Sequence, residues 1–449
     1  MPHVSTDARL AASRPTTAAD RSGGGFAALD VPTRLVAELT AQGITEPFPI
    51  QRATLPDTLA GRDVLGRGRT GSGKTLAFAL PLVARLTASG TRRAARRPRA
   101  LVLVPTRELA NQVRATLEPL ATAAGLRTAV VFGGVGQHPQ VTALHRGVDV
   151  LIACPGRLED LIGQRHCDLG AVEITVLDEA DHMADLGFLP AVKRLLDRTP
   201  RVGQRLLFSA TLDNGVDVIV RRYLDSPLTH SVDGVLAPPP EMAHHVLEVS
   251  RGDKAAVVHE LASGAGRSLL FTRTKHTAKK LARQLSASGV PAVDLHGNLS
   301  QKARERNLAS FSAGRVRVLV ATDIAARGVH IDEVELVVHV DPPTEHKAYV
   351  HRSGRTARAG AEGVVVTVST PEQRRDVNAL MRKARIGPAR ATVRPGGTEV
   401  RALTGDPAPI RHEALVPTAA TPPRRSTAHR GSRPGSRRRA RDGGSRRAA

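Results

Sequence analysis

The sequence is poor in residues that several large classes of protein depend on. Its only cysteines are Cys154 and Cys167, too few for a disulfide framework in a chain of 449 residues. We therefore expect both to be reduced thiols. It has no tryptophan, two tyrosines and eight phenylalanines, so aromatic platforms for stacking nucleic-acid bases are scarce. Any contact with a nucleic acid should favour the backbone over the bases.

Long apolar runs are also missing. No stretch of the sequence approaches the roughly 20 apolar residues that span a bilayer, and residues 1–22 lack the apolar segment of a secretory signal. The sequence therefore predicts a cytoplasmic protein without a membrane partner.

The sequence has an excess of positive charge, with a formal net charge of +23. This favours a polyanionic partner such as RNA, because neutralised phosphates release condensed counterions.

Length and pattern predict two α/β domains between irregular ends. Single cores usually stop growing near about 250–300 residues, and this chain is longer. We assign residues 26–232 and 244–390 to two domains, joined at 233–243 by a linker that contains three consecutive prolines. Residues 1–25 and 391–449 are expected to be disordered, because their composition buries too little apolar surface to offset the entropy of ordering.

Short β-branched runs alternate with helical patterns in both domains, which is typical of parallel sheets. The expected strands are Asp63–Leu65, Leu101–Val104, Val148–Ala153, Ile174–Leu177, Leu206–Phe208, Leu269–Phe271, Ala292–Leu295, Val316–Ala321, Leu336–Val340 and Val364–Val368. After about Ile386 both patterns fade.

Residues 68–75 have the spacing of a phosphate-binding loop, between a predicted strand and a helix that begins near Leu76. The loop backbone would wrap the phosphates at Gly71, Ser72 and Gly73. Lys74 would reach the β- and γ-phosphates, and Thr75 would bind Mg²⁺. The alternative is a glycine-rich turn without a ligand.

Two acids, Asp178 and Glu179, follow a buried strand, where ligands of open α/β sheets bind. Such a pair alone is usually solvated surface. Beside a phosphate-binding loop it predicts a hydrolysis site, in which Asp178 holds Mg²⁺ and Glu179 polarises the attacking water.

These motifs, in this order, resemble those of DEAD-box ATP-dependent RNA helicases, from Phe26 to about Gly363. The resemblance implies an α/β fold of two tandem RecA-like parallel-sheet domains with a basic C-terminal tail. It also implies ATP and Mg²⁺ in the cleft between the domains and RNA across both of them. It further implies RNA-stimulated ATP hydrolysis that opens short duplexes locally.

The resemblance gives roles to individual residues. Gln51 would hydrogen-bond the adenine, Phe26 would stack on it and Asp323 would contact the nucleotide. The implied RNA contacts are Pro105, Thr106, Arg107, Gly134, Pro155, Gly156 and Arg157 in the first domain, and Arg273, Gln301, Arg304 and Thr322 in the second. Asp181, Ser209, Thr211 and His351 would couple hydrolysis to strand separation. Arg355 and Arg358 resemble arginine fingers, which act only when the lobes close.

The chain departs from the family's pattern at several positions. Ile44 and Phe48 replace an aromatic residue and a threonine in the adenine segment, and Ala357 replaces a glycine. His330 stands where an aspartate commonly binds the ribose, and Asp332 follows two residues later. The changes at His330 and Ala357 suggest a non-catalytic RNA-binding scaffold as one alternative, but Lys74, Glu179, Arg355 and Arg358 are all present and argue against it. A DNA-directed helicase or remodeller is the other alternative, and the RNA-type motifs and the sequence Asp178-Glu179-Ala180-Asp181 argue against that.

The C-terminal tail is strongly basic. From Thr421 onward it carries ten arginines and a single acid, Asp442. Clustered like charge seeks polyanions, which suggests an accessory RNA tether. A solubilising extension is the alternative.

Overall fold

The computed structural model describes residues 25–68, 71–212, 215–232, 242–326, 331, 334–357 and 363–410. These residues form two α/β lobes, which we call lobe 1 (from 25 to 232) and lobe 2 (from 242 to 410). All of them belong to one compact unit, Met1–His412, and the other unit, Glu413–Ala449, lies outside the described residues.

Lobe 1 is a parallel sheet with helices on both faces. Its described strands are β1 Val64–Arg67, β2 Ala100–Leu103, β3 Thr128–Val131, β4 Val150–Ala153, β5 Ile174–Asp178, β6 Gln204–Ser209 and β7 Leu228–Ser231. They lie in the order β3-β4-β2-β5-β6-β1-β7, and every pairing is parallel. After a short 3₁₀ turn at Phe26–Leu29, its described helices are α1 Thr33–Ala41, α2 Pro49–Leu59, α3 Lys74–Ala88, α4 Arg107–Ala123, α5 His138–His145, α6 Pro155–Gly163, α7 Ala180–Asp185, α8 Leu189–Leu196 and α9 Val216–Tyr223.

Lobe 2 repeats this plan. Its described strands are β8 Met242–Glu248, β9 Ser268–Phe271, β10 Ala292–Leu295, β11 Val318–Ala321, β12 Leu336–His339, β13 Gly363–Ser369 and β14 Ala389–Thr392. They lie in the parallel order β10-β11-β9-β12-β13-β8-β14. Its described helices are α10 Lys254–Ala262, α11 Lys275–Ala287, α12 Gln301–Ser312, α13 Asp323–Ala326, α14 His346–Ser353, α15 Arg374–Ala384 and α16 Thr398–Thr404, with a 3₁₀ turn at Pro371–Gln373.

The apolar runs of the strands explain the two layers of helices. In β2, Ala100 and Val102 belong to the core on one face, and Leu101 and Leu103 belong to the core on the other. Successive side chains of a strand point to opposite faces, so a continuous apolar run must be covered on both sides. Because all strands of a lobe run in one direction, the loops that follow them share one edge of the sheet. We call this the carboxyl edge.

The predicted fold class is confirmed: the chain has two tandem RecA-like lobes. The strands predicted from the sequence are all present, and their ends differ by no more than two residues. Cys154 and Cys167 are both unpaired thiols, as predicted. Among the described residues, no helix combines the length and the apolar character needed to cross a bilayer.

The prediction that regular structure fades after Ile386, with the second domain ending at 390, is wrong. Strand β14 and helix α16 follow, and Val393 and Val400 are buried in the core of lobe 2. The short polar strand and the short helix are held by these two apolar anchors, which periodicity alone does not reveal. The predicted linker at 233–243 lies outside the described residues except for its last two positions, which begin β8. Residues 1–24 and 411–449, expected to be disordered, also lie outside them.

Candidate active site

The phosphate-binding loop joins β1 to α3 at the carboxyl edge of lobe 1. Helix α3 begins at Lys74, so the predicted order of strand, loop and helix is confirmed. Gly71 and Gly73 have φ angles of 88° and 87°, in the left-handed region that glycine adopts without strain. The start of α3 therefore presents backbone N–H groups to a phosphate. Residues 69 and 70 of the loop lie outside the described part of the chain.

Lys74 meets the acidic pair that follows β5. Its Nζ lies 3.2 Å from Oε1 of Glu179 and donates to the carbonyl oxygen of Gly68 at 2.7 Å. Burial lowers the pKa of Lys74, but the negative charges of Glu179 and Asp178 outweigh burial and raise that pKa overall. Burial also raises the pKa of Glu179, and Lys74 reverses this and leaves that pKa below its usual value. Both groups are therefore charged, and each holds the other in place.

Asp178 is the last residue of β5 and is fully buried. Burial, and then the charge of Glu179, raise the pKa of its carboxyl group to about 7. A divalent cation would compensate this crowded negative charge, and carboxylate and hydroxyl oxygens are the ligands Mg²⁺ prefers. Asp178 and Thr75 therefore fit a magnesium ion. Among the described residues, no group of three or more His, Cys, Asp and Glu side chains could hold a metal, so nucleotide phosphates would have to supply further ligands.

The loops after β5 and β6 are joined by hydrogen bonds. The Asp181 backbone N–H donates to Oγ of Ser209 at 3.2 Å. Oδ2 of Asp181 accepts from the backbone N–H of Thr211 at 2.9 Å and from its hydroxyl at 3.2 Å. Ser209 in turn donates to the carbonyl oxygen of Thr211 at 2.7 Å. The three predicted coupling residues of lobe 1 thus form one network, which joins the acidic loop to the neighbouring loop.

The adenine segment lies against the phosphate-binding loop through Gln51. The side-chain Nε2 of Gln51 donates to the carbonyl oxygen of Gly73 at 2.9 Å, and its Oε1 accepts from the backbone N–H of Phe48 at 2.9 Å. Phe26 lies in the core of lobe 1 and is only 2% exposed. Phe48, in contrast, is 55% exposed. Its ring lies so close to Gly73 that a side chain at position 73 would collide with it. The aromatic side chain that is accessible beside the loop is therefore Phe48.

Lobe 2 contributes a set of charged side chains from α13, α14 and the turn that follows. One crevice of lobe 2 is lined by the ring of Phe271 and by four polar or charged side chains: Asp323, His351, Arg352 and Arg355. The positive charge of Arg355 is one of the factors that lower the pKa of Glu179, so the two lie close enough to interact. Arg358 and His330, as well as Asp332, lie outside the described residues.

Arg352 organises this crevice. Its Nε and Nη2 donate to the two carboxylate oxygens of Asp323 at 2.5 and 2.7 Å, and its Nη1 donates to the carbonyl oxygen of Asp341 at 2.8 Å. The guanidinium also lies 5.0 Å from the centre of the Phe271 ring. Asp323, predicted to contact the nucleotide, is therefore held by a buried arginine. The Asp341 carboxylate accepts from the backbone N–H of Arg273 at 2.9 Å.

The predicted RNA contacts of lobe 1 come from the loops after β2, β3 and β4, which are neighbours in the sheet. Thr106 follows β2 and caps α4, because its hydroxyl accepts from the backbone N–H of Leu109 at 3.3 Å. Gly134 has a φ of 76°, and a side chain there would collide with the guanidinium of Arg107. Arg157 donates to the carbonyl oxygen of Val135 at 3.3 Å. Helix α6 begins with Pro155 and Gly156.

A buried polar contact joins the two lobes. Nε of Arg304 lies 2.7 Å from Oε1 of Glu108, which also accepts from Nε2 of Gln301 at 3.3 Å. Arg107 donates to Oε1 of Gln301 at 3.4 Å. Three residues predicted to bind RNA, Arg107, Gln301 and Arg304, are thus connected to one another across the lobes. Thr322 directly follows β11, and its backbone N–H donates to the carbonyl oxygen of Leu295 at 3.2 Å.

Comparison with known proteins agrees with this geometry. The model of the DEAD/DEAH box helicase family matches residues 48–219, and that of the helicase conserved C-terminal domain matches residues 253–360. The chloroplastic DEAD-box ATP-dependent RNA helicase 3A of Zea mays is 43% identical over 367 residues, which cover 80% of this chain and 49% of that protein. This chain belongs to the DEAD-box helicase family.

Other DEAD-box proteins give the same picture. The rice DEAD-box ATP-dependent RNA helicase 53 is 39% identical and matches over 79% of this chain and 59% of its own length. The structure of Saccharomyces cerevisiae Dbp5 bound to RNA and ADP BeF₃ has a TM-score of 0.71 and 27% identity, covering 82% of this chain and 96% of the Dbp5 chain. This DEAD-box chain spans about half to three fifths of the length of the plant relatives it matches.

Two residues of the site have contacts that the sequence motifs do not predict. The sequence motifs assign no role to Glu108, although it accepts hydrogen bonds from both Gln301 and Arg304. Arg352 lies next to His351 in the predicted arginine-finger segment and was not assigned. Two signals could have identified them. Glu108 is an acid within a segment expected to bind RNA, and Arg352 is a charged residue on the buried side of a helix, where a charge needs a partner.

Proposed function

We propose that this chain is an ATP-dependent RNA helicase, in which RNA stimulates ATP hydrolysis and closure of the lobes opens short RNA duplexes locally. The observation that carries the proposal is the charge arrangement at the cleft. Lys74 pairs with Glu179 in lobe 1, and Arg355 of lobe 2 acts on the same carboxylate. The DEAD-box relatives and the likeness to RNA-bound Dbp5 support RNA as the partner.

The chemistry follows from these side chains. The carboxylate of Glu179 accepts a proton from the water that attacks the terminal phosphoryl group of ATP. Lys74 binds the β- and γ-phosphates as a point charge, and Arg355 stabilises the charge on the transferring group. When bound at Thr75 and Asp178, Mg²⁺ supplies the positive charge that neutralises phosphate oxygens. Since Glu179 and Arg355 belong to different lobes, hydrolysis depends on the lobes being together.

The coupling and RNA roles complete the proposal. Asp181 is hydrogen-bonded to Ser209 and Thr211. Through these bonds, a movement of the loop after β5 during hydrolysis would also move the loop after β6. RNA would lie along the loops after β2, β3 and β4, where Arg107 and Arg157 offer guanidinium groups to phosphates. A cytoplasmic location stays a prediction from the sequence.

A competition assay separates this proposal from a DNA-directed helicase. ATP hydrolysis by the full chain is measured with single-stranded RNA, with DNA of the same sequence, and with both together. We expect RNA to stimulate hydrolysis and DNA neither to replace it nor to compete at equal concentration. Equal stimulation by DNA would favour the DNA-directed alternative, and no stimulation by either would favour a scaffold without turnover.

A further inference from the structure

An arginine-rich cavity lies on lobe 1 at the edge of the sheet opposite the active site. Its volume is about 490 Å³, and four arginines line it together with a single acid: Arg96, Arg97, Arg165, Arg198 and Asp168. Arg96 and Arg97 precede β2, Arg165 lies between α6 and β5, and Arg198 lies between α8 and β6. Strands β2, β5 and β6 are adjacent in the sheet, so their amino ends bring these side chains together.

The cavity lies well away from the site described above. The phosphate-binding loop and the acidic pair follow the carboxyl ends of β1 and β5. Strand β5 has five residues, and at about 3.3 Å per residue its two ends are roughly 16 Å apart. A ligand in this cavity would therefore contact none of the motif residues.

The positive charge in the cavity is largely uncompensated. Asp168 pairs with Arg97 through Oδ2 and Nε at 3.1 Å. Arg165 and Arg198 are exposed, and in the described part of the chain neither makes an ion pair with a carboxylate. The nearby acids are already paired, since Asp149 binds Arg93 and Arg99, and Glu173 binds Arg99. Exposed arginines flank the cavity at the amino ends of β1, β3, β4 and β6: Arg62, Arg127, Arg146 and Arg201.

The segment that carries Arg96 and Arg97 is held in a defined position. The backbone N–H of Arg96 donates to the carbonyl oxygen of Leu144 at 2.7 Å, and that of Asp168 donates to the carbonyl oxygen of Arg96 at 2.8 Å. Arg96 and Arg165 have φ angles of 61° and 62°, a left-handed conformation that residues with a side chain rarely adopt. The negative ends of helix dipoles would explain one cation after α6, Arg165, and one after α8, Arg198. They do not explain the guanidinium groups of Arg96 and Arg97, which the segment before β2 adds to the same cavity.

We propose that this cavity and its flanking arginines form a second binding site for the RNA backbone, which holds a segment of RNA outside the catalytic cleft. Guanidinium groups bind phosphate oxygens in a bidentate way, and an unpaired cluster of them attracts a polyanion. One feature favours RNA over an acidic protein segment. The row of exposed arginines extends beyond the cavity along the sheet edge, and a long polyanionic backbone can contact such a row along its length. The inference rests on the proposed function in that RNA is the partner.

The test compares two triple variants of the full chain with equal loss of charge. One is Arg96→Gln, Arg165→Gln and Arg198→Gln. The control is Arg34→Gln, Arg315→Gln and Arg375→Gln, at exposed positions outside the cavity. Binding of a short RNA duplex with a single-stranded extension is measured without nucleotide over a series of salt concentrations. Thermal unfolding of both variants verifies that they are folded.

The cavity variant should lower the slope of log K against log salt by about 2 to 3, because each lost phosphate contact removes roughly 0.7–0.9. The control should change the slope by less than one, and both variants should keep the wild-type ATPase rate at saturating RNA. An unchanged slope, or an equal change in both variants, would overturn the second site. Failure of the proposed function has a different signature, because RNA would then not stimulate ATP hydrolysis by the wild-type chain.

Discussion

Glu179 adopts a left-handed backbone, with a φ of 52°, at the start of α7. For a residue with a side chain this conformation costs roughly 1–2 kcal/mol. It persists because the surroundings hold it: the Glu179 backbone N–H donates to Oδ1 of Asp178 at 3.0 Å, and the carboxylate pairs with Lys74. Strain of this kind is common at functional sites. Here it fixes the carboxylate beside the lysine that would bind the phosphates.

The carboxylate of Glu179 should be essential for hydrolysis but not for binding. Glu179→Gln keeps the shape of the side chain but cannot accept a proton from water, so the ATPase rate should fall by roughly 10²–10⁴-fold. Binding of ATP and RNA should be kept. The matched control is Glu159→Gln, which removes a surface carboxylate paired with Arg194. An ATPase rate within twofold of wild type would remove Glu179 from the proposed chemistry.

Ala357 is a second strained residue, and its identity departs from the family's glycine. Its φ is 55°, and it is buried two residues after Arg355. Ala357→Gly should stabilise the folded state by about 1–2 kcal/mol, because it relieves the backbone strain. It should also stabilise the unfolded state by about 0.4–1 kcal/mol, because glycine has more conformational freedom there. The protein should therefore become slightly more stable in chemical unfolding. Ala37→Gly, at an exposed position of helix α1, should instead destabilise the protein by about 1 kcal/mol. Equal destabilisation by both changes would contradict the strain at Ala357.

Phe48 is the third residue with a specific expectation. Its exposed ring lies beside Gly73, whereas Phe26 is buried in the core. We expect Phe48→Ala to raise the KM for ATP about fivefold or more, since stacking of a base on an aromatic ring contributes about 1–3 kcal/mol. The affinity for inorganic tripolyphosphate should not change, and Phe48→Tyr should behave as wild type. Equal weakening of ATP and tripolyphosphate would show that the ring supports the loop and does not touch the base.

At the scale of elements, helices α4 and α12 are joined by the buried pair of Glu108 and Arg304. A buried charge that loses its partner is strongly destabilising, so this pair favours the arrangement in which the lobes are in contact. Residues predicted to bind RNA thus also connect the lobes. RNA and lobe closure would then be linked through the same side chains.

A double-mutant cycle measures this link. Glu108→Gln and Arg304→Gln, singly and together, are compared by kcat/KM for RNA in the ATPase assay. The coupling energy should exceed about 1 kcal/mol, because the residues are buried and in contact. The pair of Arg194, which is exposed, and Glu159, which is partly exposed, serves as the control and should give less than about 0.5 kcal/mol. Additive effects at Glu108 and Arg304 would mean that the contact does not contribute to the active arrangement.

The elements that the sequence did not predict share a physical cause. Strands β3, β7 and β14 lie at the edges of their sheets, and β8 lies next to an edge. Their side chains are partly exposed. Strands β7, β8 and β14 lack the continuous apolar runs that mark the central strands, whereas β3 has an apolar run but alternates between buried and half-buried positions. The local motifs were found because chemistry fixes residue type and spacing at the phosphate-binding loop. The contact of Glu108 with Arg304 could not be found, since it joins residues almost two hundred positions apart.

At the scale of the whole molecule, positive charge is distributed over several regions. The tail from Thr421 carries a net charge of +9 out of +23, and the amino edge of the lobe 1 sheet carries a further cluster of arginines. Phosphate contacts contribute to affinity through counterion release, whichever region makes them. The contribution of the tail to RNA affinity should therefore be measurable separately from the contribution of the folded lobes.

Deletion of Thr421–Ala449 should lower the affinity for RNA while leaving the ATPase rate at saturating RNA nearly unchanged, because the tail adds charge but none of the motif residues. The slope of log K against log salt should become flatter by roughly 0.7 for each single-strand phosphate contact that is lost. A chain of full length with the ten tail arginines replaced by glutamine is the matched control, and it should reproduce the deletion if charge is the cause. If both variants keep the wild-type slope, the tail does not touch RNA and acts as a solubilising extension. If the deletion weakens binding but the arginine-to-glutamine chain does not, the tail contributes to binding through contacts other than its charge.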